Sequence, residues 1–207
     1  MEAKPKPSPR MEPLPVDHAP ELKDAFAAYT RSLGFVPNSM LILQRKPKIV
    51  KAMAQLTASI WEPDGEVDRA FKRLVAHVVS RAAGCRYCMA HTAGGALLFG
   101  VEPQKVAAIW DFRTSPLYSE AEKVALDFAV AAASQPNGVT DDMFAGMRGH
   151  WSETQIVEIV AVVAVFGFLN RWNDTMATPL EDEPLHVGEK FLAAHGWDAG
   201  KHRRTPA

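Results

Sequence analysis

Cysteine is scarce in this chain, with two in 207 residues, which excludes a disulfide-stapled secreted scaffold. Charge of one sign is scarce too. Lys and Arg number 23 against 24 Asp and Glu, so the formal net charge is -1 and nothing draws the protein toward nucleic acid or an anionic membrane. Long apolar runs are missing. The longest, Ile159 to Leu169, is well under the ~20 residues that a bilayer crossing requires, so it is read as a buried core helix. The first residues, Lys4-Pro5-Lys6-Pro7-Ser8-Pro9-Arg10, contain no apolar segment of the kind that opens a secretory leader. Strand signals are also weak, with no βαβ rhythm and no repeat at solenoid periods. These absences together predict a cytoplasmic protein with neither nucleic acid nor membrane as partner.

What is present reads as helix. Hydrophobic residues make up 47% of the chain, enough for one ordinary core. Residues 1–20 hold six prolines and predict an extended or disordered arm. Residues 21–207 form a single helical domain, with a tail from about 178 whose basic end, Lys201-His202-Arg203-Arg204, is read as solvated. Helices are expected from Pro20 to Gly34, Met40 to Gln44, Pro47 to Ile60 and Pro103 to Phe112. The clearest amphipathic segment is 66–83, where Val67, Phe71, Leu74, Val75, Val78, Val79 and Ala82 recur at three- and four-residue steps. Gly84 stops it, and a helix from about Cys85 to Phe99 follows. Ser119 with Glu122 and Ser152 with Gln155 form capping boxes that open helices near 120–134 and 153–169, with a short helix after Thr140 between them. The fold class is all-α.

The chemistry concentrates in Cys85-Arg86-Tyr87-Cys88-Met89-Ala90-His91. Two thiols three apart can close a disulfide ring, and an imidazole one turn beyond Cys88 can take its proton. Three readings compete: packed thiols without a role, a metal site, or a redox dithiol. Cys85, Cys88 and His91 offer three zinc ligands where a closed structural site needs four, so no metal is expected. A helix N-terminus at Cys85 favours thiolate through its free N–H groups and dipole, and Arg86 adds positive charge. Helical spacing places His91 within reach of Cys88 rather than Cys85.

The stretch from Arg69 to Ser80, followed by Gly84-Cys85-Arg86-Tyr87-Cys88 and His91-Thr92, resembles the core of the carboxymuconolactone decarboxylase / alkylhydroperoxidase D superfamily. Gly34-Phe35-Val36-Pro37-Asn38 and Phe168-Leu169-Asn170-Arg171 are similar to flanking elements of the same family. The resemblance implies an all-helical homo-oligomer. It also implies thiol peroxidase chemistry, in which Cys88 attacks a hydroperoxide, Cys85 resolves it as a disulfide, and a dithiol or protein donor restores the pair without a cofactor. Two departures stand out. Only Met89 and Ala90 separate Cys88 from His91, where alkylhydroperoxidase D has three residues. Arg73 also occupies the position of that family's relay glutamate, and a guanidinium cannot serve as a base. His77 is the nearest candidate to move the proton, Glu158 is another, and Arg73 could lower a thiol pKa or hold an anionic substrate. The alternatives are a non-peroxidatic member acting on a small carbon acid or lactone, and a redox-sensing oligomer without turnover.

Overall fold

The computed structural model describes residues 9–204, and among them every regular element is helical. The α-helices are α1 (Lys23–Leu33), α2 (Asn38–Leu43), α3 (Pro47–Ile60), α4 (Arg69–Ala82), α5 (Arg86–Leu98), α6 (Pro103–Ala107), α7 (Glu120–Ala133), α8 (Asp141–His150), α9 (Glu153–Met176) and α10 (Asp182–Phe191). The all-α expectation holds, and boundaries follow local chemistry. Both capping boxes form, at Ser119/Glu122 and Ser152/Gln155. Gly34 ends α1 in the left-handed region, with φ 86°.

Helix α4 is the centre of the bundle, packed by α5, α7 and α9. It starts at Arg69 rather than near residue 66 because Asp68 caps it, accepting from the N–H groups of Ala70 and Phe71. The apolar stripe of Leu74, Val75, Val78 and Val79 is buried as its spacing predicts. The opposite face, carrying Arg73, His77 and Ser80, is buried as well, because α5 lies across it. A one-helix periodicity argument finds only the strongest apolar face, and a helix surrounded on every side buries its polar face too.

Helix α9 runs seven residues beyond the expected end at Leu169. Asn170 to Met176 contain neither Gly nor Pro, and Asn170 and Asn173 turn inward among packed neighbours, which outweighs their weak helix propensity. On length and composition alone this helix could cross a membrane. Its Ile159, Val162 and Val165 are instead buried in the bundle against α3, α4 and α7.

The two ends of the chain are both tied to the bundle. Residues 1–8 of the Pro-rich arm lie outside the described residues; the rest is extended and held down, with Arg10 Nη1 donating to Thr175 O (2.7 Å) and Gln44 Nε2 to Pro15 O (3.0 Å). Beyond 178, what was expected to be a tail is part of the fold. Helix α10 packs on α5, Trp197 Nε1 donates to Arg86 O (3.1 Å), and His202, 1% exposed, donates through Nδ1 to Thr178 O (2.8 Å). The reason is burial: Leu180, Leu192, Trp197 and Ala199 are spaced too irregularly to read as one amphipathic helix, yet each is buried. Gly188 is required here, since a methyl group on it would sit inside the Trp197 indole.

Candidate active site

The site is built at the junction of α4 and α5. Gly84, at φ 70°, lets the chain reverse, and Cys85 N–H donates to Ser80 O as α4 closes. Cys85 then caps α5: its Sγ accepts the N–H of Cys88 at 3.4 Å. The two sulfurs therefore share the first turn of one helix, as the spacing predicts, and both are free thiols. They differ in access. Cys88 forms part of the wall of a cavity of about 280 Å³, whereas Cys85 lies behind it and is fully buried.

The cavity lies between α1, α3, α4, α5 and α9, and its walls are mostly apolar, with Tyr29, Trp61, Phe99 and Phe166 among them. Its polar groups are few and convergent. Asn173 Nδ2 donates to Cys88 Sγ at 3.4 Å, and His91 reaches the same space. Burial pushes the Cys88 thiol well above its usual range, the neighbouring Cys85 thiol raises it further, and the Asn173 amide opposes them.

His91 does not hydrogen-bond Cys88. Its Nε2–H donates instead to Glu181 Oε2 at 2.6 Å, while Glu181 Oε1 accepts from Tyr87 Oη (2.9 Å) and from Asn38 N (2.5 Å). The Tyr87 and His91 rings stack with centroids 4.2 Å apart. Burial alone would raise the Glu181 carboxyl; the His91 imidazole and the Asn38 N–H outweigh it and hold its pKa below the ordinary value. Burial, and after it the same carboxylate, push the Tyr87 hydroxyl well up, so Tyr87 remains a donor. With Nε2–H committed to a carboxylate, Nδ1 is the His91 nitrogen left to exchange a proton.

Sequence reasoning missed Glu181, which comes from the segment read as tail. A signal existed: Glu181-Asp182-Glu183-Pro184 is an acidic, proline-bearing helix start. It marks α10 but says nothing of the contact with His91, ninety residues away.

The other candidates take different places. Glu158 is bound by Lys72 Nζ at 2.6 Å and by the N–H groups of Glu66 and Val67, remote from the thiols. Burial raises its carboxyl, and the Lys72 ammonium with those N–H groups more than reverses this. His77 is not on the cavity wall. Its Nδ1–H donates to Met89 O (3.1 Å), tying α4 to α5, and its Nε2 is buried without a partner. Burial lowers its pKa to about 4, with Arg81 adding to the effect and the Met89 carbonyl opposing it.

A pH-dependent stability follows for His77. Its folded pKa of about 4 lies below the unfolded 6.5, so its contribution is intact above pH 6.5 and lost as pH falls toward 4. The loss amounts to about 3 kcal/mol at pH 4. Urea unfolding at pH 7.5 and pH 4 should therefore show wild type losing about that much more than His77→Gln. Equal losses would mean that His77 is not held neutral.

The model of the carboxymuconolactone decarboxylase family matches residues 47–131, which span α3 to α7 and include both cysteines. The crystal structure of the debrominase Bmp8 is 34% identical, covering 87% of this chain and 97% of that one, with a TM-score of 0.82. A cysteine-to-alanine variant of that debrominase, solved in complex with 2,3,4-tribromopyrrole, superposes equally well, at TM-score 0.82 and 33% identity over 87% of this chain and 96% of that one. A peroxidase-related protein from Ralstonia eutropha with an alkylhydroperoxidase AhpD core shares the fold at 20% identity, covering 88% of this chain and 96% of its own, with TM-score 0.73. The protein YnjA of Escherichia coli is 26% identical over 153 residues, 74% of this chain and 84% of that protein.

Proposed function

The chain belongs to the carboxymuconolactone decarboxylase family, and on that premise we propose that it is a cysteine-pair reductase of small apolar electrophiles, with a carbon–halogen bond as the group reduced. One observation carries the reading: the Cys88 thiol, the one thiol on the wall, faces a mostly apolar cavity, with its partner Cys85 directly behind it. At about 280 Å³ the cavity sits at the small end of ligand sites, roughly 300–1,000 Å³, and suits one small ring. The debrominase, similar in sequence over most of both chains, supports the halogen.

The electrons balance as follows. The Cys88 thiolate attacks the halogen, the carbon–halogen bond breaks, and the carbon leaves with the electron pair and takes a proton from the His91–Glu181–Tyr87 network. Cys85 then attacks the sulfenyl halide on Cys88, expelling halide as the disulfide forms. In sum, R–X and two thiols give R–H, a disulfide, halide and a proton. An external dithiol reduces the pair for the next cycle. Because the Cys88 thiol is raised, deprotonation by His91 Nδ1 or by water must precede attack, and the rate should climb with pH through the neutral range.

Hydroperoxide reduction is the second reading, favoured by the Cys85-Cys88-His91 set. There Cys88 attacks the O–O bond, His91 protonates the leaving alkoxide, and Cys85 displaces water from the sulfenic acid. The assay separates the two. Reduced protein with dithiothreitol is given either 2,3,4-tribromopyrrole or cumene hydroperoxide, and bromide release and peroxide consumption are followed. Several equivalents of bromide per protein are expected; peroxide consumption alone would move the assignment to the second reading. Failure with both substrates would remove the reductase reading.

A further inference from the structure

We propose that the same cavity selects an anion: Arg69 and Arg73 form a cationic end to it, and the substrate carries one negative charge beside its apolar ring. The charge is that of a carboxylate or of an ionised acidic ring N–H or hydroxyl. The proposal rests on the reductase reading above and narrows its substrate class.

Arg73 is 9% exposed and belongs to the cavity wall together with Arg69 and Cys88. Its guanidinium lies 3.8 Å from the centre of the Trp61 ring and 5.0 Å from that of Phe99; the Arg69 guanidinium lies 4.4 Å from the same Phe99 ring. Aromatic faces cover the plane of a guanidinium but leave its N–H edge unpaired. The Nε of each arginine is buried without an acceptor among the described residues. The charge that acts on Arg73 is that of Arg69, of like sign. Burial lowers the Arg73 pKa only to about 10, so it stays cationic at neutral pH.

Two largely buried carboxylates are engaged elsewhere. Glu181 is taken up by His91, Tyr87 and Asn38, and Glu158 by Lys72. A buried cation without a counter-ion is unfavourable unless something in the cavity compensates it. Space for the side chain is kept by Gly95 on α5, where an added methyl group would come within 3.1 Å of Arg73 Cδ. The cation, the aromatic walls and the sulfur thus converge on one volume. An anionic ring held there presents its far edge to Cys88.

Binding is measured in Cys88→Ser protein, which cannot turn over, by quenching of tryptophan fluorescence and by calorimetry. The probes are two size-matched pairs at pH 8, each an anion against a neutral analogue: 4-bromobenzoate against 4-bromobenzamide, and 2,4,6-tribromophenol against 2,4,6-tribromoanisole. The anion of at least one pair should bind tenfold or more tightly than its neutral partner, and which pair responds identifies the source of the charge. Arg73→Gln should erase that preference, Arg73→Lys should retain part of it, and Arg69→Gln should reduce it. Gly95→Ala, which crowds the guanidinium without removing it, should also reduce it and serves if Arg73→Gln fails to fold. Equal affinities within both pairs, or a preference that survives in Arg69→Gln/Arg73→Gln, would overturn the proposal. Bromide release by wild type is a separate readout, so the reductase reading and the charge reading can fail independently.

Discussion

Cys88→Ser should lower multiple-turnover reduction at least about 10³-fold, because it removes the thiol on the cavity wall to which the proposed mechanism assigns the attack. Cys85→Ser should behave differently. Its Cys88 can still attack once, so a burst of up to one product per protein is expected, followed by stalling as the sulfenyl adduct waits for an external thiol. The contrast is the informative part, since a merely structural role for both thiols would make the two variants alike. His91→Asn should lose roughly 10²–10⁴-fold by removing the proton carrier, and Glu181→Gln should lose less while shifting the pH profile, because it changes what holds Nε2. Rapid-quench measurement of product per active site distinguishes these cases. If Cys85→Ser turned over at the wild-type rate in low thiol, the two-cysteine mechanism would be wrong.

The second large effect concerns folding. Glu158→Gln should destabilise the protein by about 3–5 kcal/mol, since it leaves the Lys72 ammonium, 1% exposed, without its counter-ion. Lys72 Nζ would retain only the carbonyl of Ile60, at 3.0 Å. Lys72→Met should cost less, because the Glu158 carboxylate, 14% exposed, keeps the N–H groups of Glu66 and Val67. The double variant Lys72→Met/Glu158→Leu should recover much of the loss. Denaturant melts of the four proteins measure these differences. Turnover per folded molecule should be unchanged in all of them, because the pair joins α9 to the start of α4 and does not face the thiols. A catalytic defect in folded Glu158→Gln would return Glu158 to the list of proton carriers.

Local sequence was a good guide wherever a single short-range interaction decides the structure. Capping boxes, Pro at helix starts, Gly84 at the α4–α5 turn and the Cys85/Cys88 spacing are all complete within a few residues, and each formed as read. The class of fold followed from the same signals. The Cys-x-x-Cys element and its histidine carried the family as well, because all three residues lie within one seven-residue stretch.

Distance in sequence is where legibility ended. Nothing near His91 foretells that its Nε2 meets Glu181, that Asn173 reaches the Cys88 sulfur, or that Trp61 and Phe99 enclose Arg73. Each pairing joins different helices, and a polar residue that looks solvated on its own helix becomes buried once another helix covers it. The sequence determined an all-helical chain with two thiols poised on one turn. Only the packing of α9, α10 and the α3–α4 connection around that turn decided which thiol faces the cavity, what holds its histidine and what charge the cavity presents. Side-chain burial is a property of the neighbours that tertiary structure supplies, and no local pattern encodes them.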